Sequence, residues 1–321
     1  MDYLKSLSLN TQGILCLVGA VVFLTISDSI IKWLSPTYAL HEIMLFRSLF
    51  ALLLVFVIIQ LEGGLKTLKT RRPLLHFFRG SLLVLANMFF FLGLATLPFA
   101  ETVALFYVAP LFICILSQPV LGERVGAVRW LVILVGFGGV LIMVRPGVEV
   151  FRFTSLLPIL AALSYAVMQM LTRKLGMQEK AGTLTFYIQL AFILISSVIG
   201  LSIGDGRYNN FDSPTFDFLL RAWTLPGPAD FALLAICGLI VAIGGYLISQ
   251  AYRLGQASAV APFEYTSLPF AVILGYYLWN DLPDWISIVG SGFIIFSGFL
   301  IVYIEKRDNR RGLNRHPHKE Y

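Results

Sequence analysis

The chain has 321 residues, of which 58% are hydrophobic and only 13% charged. Soluble globular domains carry roughly 25% charged residues, so this composition excludes an ordinary soluble domain. The formal net charge is +6, but the basic residues fall mainly in short polar segments and in the C-terminal tail. We therefore interpret the charge as a sign of membrane topology and expect no nucleic-acid partner. No motif for a metal or a cofactor is present, and we expect neither.

Apolar runs follow one another along the whole chain, and each is long enough to cross a hydrocarbon core of about 30 Å as a helix. The sequence predicts an all-α polytopic membrane protein, because a backbone exposed to lipid must satisfy its own hydrogen bonds. We number the predicted spans 1 to 10 in chain order, at residues 13–34, 40–61, 74–97, 101–121, 126–144, 153–171, 182–204, 231–252, 257–279 and 284–304. The first is interpreted as a retained span rather than a signal peptide, since no small-residue cleavage site is obvious and nine spans follow.

The distribution of lysine and arginine predicts the orientation. Most of these residues lie on the side of the membrane that holds both termini, including those of the loops at 62–73 and 172–181 and of the basic tail at 306–321. By the positive-inside rule, both termini are predicted to be cytoplasmic. The three cysteines, Cys16, Cys114 and Cys237, all lie within spans and are predicted to be small buried side chains.

Two stretches of the chain are nearly the same. AETVALFYVAP at 100–110 and ASAVAPFEYTSLP at 257–269 match at a constant offset of 157, so that Tyr107 corresponds to Glu264. At an offset of 142, Arg47 in span 2 corresponds to Gln189 in span 7. Small and aromatic residues recur in any membrane helix, so chance similarity is the competing explanation.

This pattern predicts two five-helix units, residues 1–148 and 149–305. An odd number of crossings inverts the second unit relative to the first. Inverted repeats around a site at the membrane midplane are typical of secondary transporters that work by alternating access.

The repeated stretches and the segments that follow them carry a family resemblance. Span 4 closes on LGER at 121–124, and span 9 is followed by WNDLPD at 279–284. In these features the chain resembles the EamA-type proteins of the drug/metabolite transporter superfamily. The resemblance implies ten helices around a central cavity and movement of metabolites across a bacterial inner membrane. A glutamate usually follows both spans in that family, and Asp281 replaces the second one here.

Two further segments resemble one branch of that family. SDSIIKWL in span 1 and HFFRGSLL at the start of span 3 are most similar to the branch that includes S-adenosylmethionine uptake proteins. The substrate and the direction of transport do not follow from this resemblance, because members of the family carry diverse metabolites both inward and outward.

Ionisable groups within spans are costly and normally face protein or water. Asp28 in span 1 and Arg47 in span 2 lie at matching depths, roughly 9 and 11 Å from the outer end at helical rise. We expect them to pair, with Lys32, one turn from Asp28, as a competitor. The pair is either structural or part of a substrate or proton site.

Glu264 is the strongest single candidate for function. It lies about seven residues into span 9, roughly 10 Å from the cytoplasmic end, inside the repeated stretch and beside Tyr265. A carboxylate at that depth would bind a cationic group of the substrate or take up a proton during transport. Tyr107 and Tyr265 have polar ends and are predicted to line the cavity.

Two residues of span 3 complete the candidates. Arg79 lies about five residues from the cytoplasmic end. At that depth its side chain is either an anchor that snorkels to the interface or a contact for an anion. Asn87, two turns deeper, would bond either to a ligand or to a neighbouring helix.

The glycines of spans 5 and 10, among them Gly138 and Gly292, would allow close helix approach within the monomer or at the face of a homodimer.

The sequence thus predicts a secondary transporter for a small polar or amphipathic metabolite, with lipids as its other partners. An intramembrane enzyme is the first alternative, but HExxH and GxSxG motifs are absent. A receptor or assembly factor is the second, but it would need an outer domain, and the longest loop spans only about residues 205–230. Proton coupling, exchange and oligomeric state are left open.

Overall fold

The computed structural model describes residues 7–96, 102, 105–123, 125–144, 156–207 and 214–279, together with isolated positions between 285 and 303. Every regular element in these ranges is helical. The predicted cytoplasmic tail at 306–321 and Asp281 lie outside the described residues.

Eleven α-helices are defined among the described residues, and two 3₁₀ segments accompany them. The helices are α1 Leu9–Leu34, α2 Leu40–Glu62, α3 Pro73–Thr96, α4 Ala109–Leu121, α5 Ala127–Val144, α6 Leu156–Gly176, α7 Ala181–Ile203, α8 Pro214–Leu220, α9 Pro228–Leu254, α10 Ala257–Val260 and α11 Ser267–Trp279. The 3₁₀ segments are Leu65–Leu68 and Ala261–Thr266.

Local sequence explains where several helices begin and end. The Ser8 hydroxyl caps α1 by accepting from the Thr11 backbone N–H at 3.2 Å. Gly63 and Gly122 follow α2 and α4 with φ of 130° and 66°, a backbone conformation that favours glycine. The polar stretches between the apolar runs therefore coincide with helix termini.

Seven helical segments among the described residues are long and apolar enough to cross a membrane, and Ala109–Leu121 and Ala127–Gly139 are shorter apolar helices. The prediction of an all-helical, multi-pass protein is confirmed. Span 10 and the start of span 4 fall largely outside the described residues, so the predicted total of ten stays a prediction.

Span 9 differs from the continuous helix that the sequence predicts. It begins as α10, continues as the 3₁₀ segment Ala261–Thr266 and resumes as α11. Pro262, near the start of the 3₁₀ segment, has no N–H to donate to the α-helical ladder. Glu264 and Tyr265 lie in this tighter segment, and both are buried.

The two predicted units pack against each other through most of their helices. Helix α1 lies against α9, α2 against α7 and α9, and α3 against α6 and α7. One end of this bundle holds the loops 63–72 and 177–180, the start of α1 and residues 255–256, and we call it the basic end because of its lysines and arginines. The other, which we call the opposite end, holds residues 35–39 and 221–227.

Contacts join the halves at both ends. At the basic end the Glu62 carboxylate accepts from the Gly182 N–H at 3.0 Å and from the Tyr246 hydroxyl at 3.0 Å. At the opposite end the Tyr38 hydroxyl donates to Asp230 Oδ2 at 2.7 Å. This bond raises the pKa of Tyr38, which lies in the loop outside the spans.

Glycine permits the closest helix approach. A Cβ added to Gly238 in α9 would lie 2.5 Å from the Arg47 carbonyl oxygen and 2.5 Å from Phe50 Cβ, both in α2. Gly138 in α5, in contrast, would meet no described atom within 4 Å. Gly138 therefore makes no close contact with the described part of the monomer, and the prediction of a homodimer stays a prediction.

Alanine substitutions at these two glycines should change stability in opposite directions. Gly138→Ala gains helix propensity, worth about 0.5–1 kcal/mol, without a clash with any described atom. Gly238→Ala forces α2 and α9 apart and should lower the thermal unfolding temperature in detergent by several degrees. Equal unfolding temperatures for the two variants would contradict the packing described here.

Candidate functional site

A buried carboxylate with tyrosine donors lies near the middle of the structure. Glu264 Oε1 accepts from the Tyr165 hydroxyl at 2.9 Å and from the Tyr252 hydroxyl at 2.5 Å. Gln169 Nε2 donates to the Tyr165 hydroxyl at 2.7 Å. The Glu264 residue is only 6% exposed, and its Oε2 accepts no hydrogen bond from the residues that the structure describes. One carboxylate oxygen is thus anchored by two hydroxyl donors, and the other has no hydrogen-bond partner among the described residues.

Three separate elements bring these groups together. Tyr165 and Gln169 are four residues apart in α6, which places them on one face of that helix. Tyr252 lies in the last turn of α9, and Glu264 lies in the 3₁₀ segment that follows α10. Two hydroxyl donors on one oxygen favour the ionised form, whereas burial opposes it.

An aromatic wall adjoins the carboxylate. Ring centroids lie 5.9 Å apart for Tyr107 and Tyr265, 5.6 Å for Phe106 and Tyr165, and 5.3 Å for Phe90 and Phe106. Such separations are typical of interacting aromatic pairs. The first half of the chain supplies Phe90, Phe106 and Tyr107, so both halves contribute to one site.

The site contains an unsatisfied polar atom. The Tyr265 hydroxyl is buried without a hydrogen-bond partner among the described residues. The cost of such a group is relieved when a ligand or a water supplies the missing bond. The structure brings Tyr107, Glu264 and Tyr265 close together.

Asp28 is adjacent to this cluster, but unlike Glu264 it is not buried. It lies in electrostatic range of both Tyr107 and Arg47, and its side chain is exposed. An ionised carboxylate in lipid would be costly, so we interpret the exposure as access to a polar cavity.

The predicted Asp28–Arg47 ion pair is not formed. Among the described residues, no ion pair within 4.0 Å joins the two. The reason is rotational, because the preceding residue, Ser27, faces inward onto Cys237 at 3.4 Å, and the next residue points about 100° away. Arg47 is 5% exposed, and its guanidinium carbon lies 5.2 Å from the centroid of the Phe192 ring.

Arg79 and Asn87 lie apart from the tyrosine cluster. Arg79 is fully buried and does not snorkel, because its guanidinium donates to Thr172 Oγ1 at 3.0 Å and to the Leu184 carbonyl oxygen. It thereby ties α3 to α6 and α7. Asn87 donates to the Leu83 carbonyl oxygen at 3.0 Å and lines a small pocket toward the opposite end.

Three residues of the cluster were missed by the sequence reasoning: Tyr165, Gln169 and Tyr252. The first two form a polar pair at i and i+4 in the otherwise apolar span 6, and this spacing was a usable signal. Tyr252 gave no such signal, because a tyrosine near the end of a span is ordinary at a membrane interface.

Comparison with known proteins agrees with the family resemblance that the sequence motifs indicate. Residues 11–145 match the EamA-like transporter family. The chain is 28% identical to the S-adenosylmethionine uptake transporter of Rickettsia prowazekii, over 92% of this chain and 94% of that protein. It is 27% identical to the riboflavin transporter of Vibrio cholerae, over 94% and 97%. These matches confirm the predicted resemblance, because the matched family and both of these relatives are named as transporters.

A solved structure supports the fold. A protein known from a crystal structure matches with a TM-score of 0.71 at 17% identity, over 92% of this chain and 98% of that chain. At this identity the match concerns the fold alone.

A cysteine at position 28 should distinguish a watery cavity from a lipid-facing surface. In a variant that lacks the native cysteines, we expect Asp28→Cys to react at least roughly tenfold faster with a charged, water-soluble methanethiosulfonate than Ser27→Cys. Ser27 is the matched control because it is adjacent and only 1% exposed. Slow reaction at both positions would mean that position 28 does not face water.

Proposed function

We propose that this chain, whose residues 11–145 match the EamA-like transporter family, is a secondary transporter of a small amphipathic metabolite. The observation that supports this most is the carboxylate of Glu264 with its tyrosine donors, buried where the two halves of the chain meet. A group of this kind within a membrane span is expensive to maintain, and substrate or ion pathways are where such groups occur.

Alternating access by two inverted five-helix units, residues 1–148 and 149–305, is part of this proposal. Tyr107 and Glu264 are equivalent in the repeat, and Tyr107 packs against Tyr265, the neighbour of Glu264. The two repeated stretches therefore meet at one place. Exchange of the conformations of the two units would open this place to one side and then to the other.

We further propose that the basic end faces the cytoplasm of a bacterial cell and that both termini are on that side. Lys66, Lys69, Arg71 and Arg72 belong to one short loop at this end, and short basic loops are retained in the cytoplasm. The chain is a multi-pass membrane protein, and its named relatives are bacterial transporters.

The chemistry of the site favours a substrate that combines a cationic group with a planar aromatic body. Asp28 and Glu264 supply carboxylates, and the aromatic side chains supply faces that attract both a ring and a cation. S-adenosylmethionine, the substrate named for one relative, has a sulfonium and an adenine. Riboflavin, named for the other, is aromatic but lacks the cation. S-adenosylmethionine is therefore the first substrate to test.

Uptake into proteoliposomes tests this function. We expect saturable uptake of labelled S-adenosylmethionine, competed weakly by riboflavin. Glu264→Gln should lower the uptake rate at least roughly tenfold, because a charge-assisted contact is worth about 1.5–3 kcal/mol. Asp205→Asn is the matched control, since Asp205 is an exposed carboxylate at the opposite end whose pKa is lowered by hydrogen bonds from Arg207.

Two outcomes would contradict the proposal. Glu264→Gln with full transport and unchanged dependence on pH would remove Glu264 from the mechanism. Absence of uptake by folded wild-type protein across S-adenosylmethionine, riboflavin and amino acids would contradict the proposed substrate class.

A further inference from the structure

The carboxylate of Glu123, in the loop after α4, binds the start of α10. Its Oε1 accepts from the Ala257 N–H at 2.9 Å, and its Oε2 accepts from the Ser258 N–H at 3.0 Å and the Ser258 hydroxyl at 2.9 Å. The first N–H groups of a helix have no partner within the helix, so an acceptor from elsewhere holds them firmly. Glu123 belongs to the first half of the chain and α10 to the second.

Further polar contacts surround this one. Arg173 Nε lies 3.9 Å from Glu123 Oε1, and Arg129 Nη1 donates to Gln256 Oε1 at 3.0 Å. The Gln256 N–H donates to Asn10 Oδ1 at 2.8 Å. Helices α1 and α5 and the loop after α4 are thus bonded to the loop around the start of α10, and α6 is connected to it through Glu123. We call Asn10, Glu123, Arg129, Arg173 and Gln256 the inner latch.

A short buried segment connects the inner latch to the carboxylate of the site. Residues 257–260 are each 0% exposed, and the 3₁₀ segment that carries Glu264 follows them directly. Glu264 lies seven positions after Ala257, a distance of about two helical turns. A stretch of 3₁₀ geometry within a longer helix is a frequent position for a hinge. Movement of the start of α10 would therefore move Glu264.

Cys114 lies beneath the inner latch. Its Sγ is 3.8 Å from the Ser258 carbonyl oxygen, and the residue is 0% exposed. Cys237 is equally buried, but it contacts Ser27 in α1 and has no contact with the latch residues. Of the three native thiols, Cys114 thus reports on the latch and Cys237 does not.

We propose that Glu123 is a positioning residue for transport. By holding the start of α10 it keeps the basic end closed while the site is open to the other side, and its release from α10 accompanies opening toward the basic end. This inference rests on the proposed function. It assigns to the glutamate of LGER a role in coupling the closure of one end to the position of Glu264.

Alkylation of the native cysteines tests the latch without any substrate. The full-length protein in detergent is treated with N-ethylmaleimide, and the modification at each cysteine is measured by mass spectrometry. In Glu123→Ala we expect Cys114 to react about tenfold faster than in wild type, the effect of losing one helix cap. Cys237 should be unchanged. Glu123→Gln, which keeps one acceptor oxygen, should show a smaller increase, and Asp205→Ala should show none.

Either of two alkylation results would overturn the inference. An unchanged Cys114 rate in Glu123→Ala would show that the latch does not hold the basic end closed. Equal acceleration at Cys114 and Cys237 would show general loosening of the fold.

Transport by the same variants separates this inference from the proposed function. A positioning role predicts that Glu123→Ala lowers the maximal rate of S-adenosylmethionine uptake while KM changes little. A full maximal rate would overturn that role. If wild type moved no substrate, the proposed function would fail, whereas the alkylation result would still decide whether the latch exists.

Discussion

A carboxylate buried within a membrane span needs hydrogen-bond donors, and the arrangement of the site depends on that requirement. Glu264 obtains them from Tyr165 in α6 and Tyr252 in α9, which fixes the positions of three elements relative to one another. The 3₁₀ geometry of the segment at 261–266 belongs to the same arrangement, because Pro262 interrupts the α-helical ladder just before the glutamate. Only one of the two carboxylate oxygens is used in this way.

The remainder of the bundle is held by ordinary membrane-protein packing. Lipid tails are as apolar as the surfaces of these helices, so no hydrophobic effect drives the helices together. Close packing and a few polar contacts decide how they associate. Gly238 lets α2 and α9 approach closely, and Arg79 ties α3 to α6 and α7. These contacts lie away from the tyrosine cluster, and their role in the structure is to hold the scaffold around it.

The sequence was sufficient for some features and insufficient for others. Depth in a span follows from counting residues, which is why Glu264, Tyr265 and Tyr107 could be identified. Counting does not show which face of a helix packs against a given neighbour, so the sequence could not show that Asp28 and Arg47, which match in depth, do not pair. The donors of Glu264 come from distant helices, so Tyr252 became recognisable only when packing was known. The break in span 9 at Pro262 was not predicted, because proline is also tolerated within membrane helices.

We propose that Glu264 and its neighbours select a cationic group of the substrate. Equilibrium binding of S-adenosylmethionine and of S-adenosylhomocysteine to the purified protein measures this selection. S-adenosylhomocysteine lacks the S-methyl group and with it the sulfonium charge. We predict at least roughly tenfold tighter binding of S-adenosylmethionine, as expected for one charge-assisted contact, and loss of this preference in Glu264→Gln. Equal affinity of wild type for both compounds would contradict the claim.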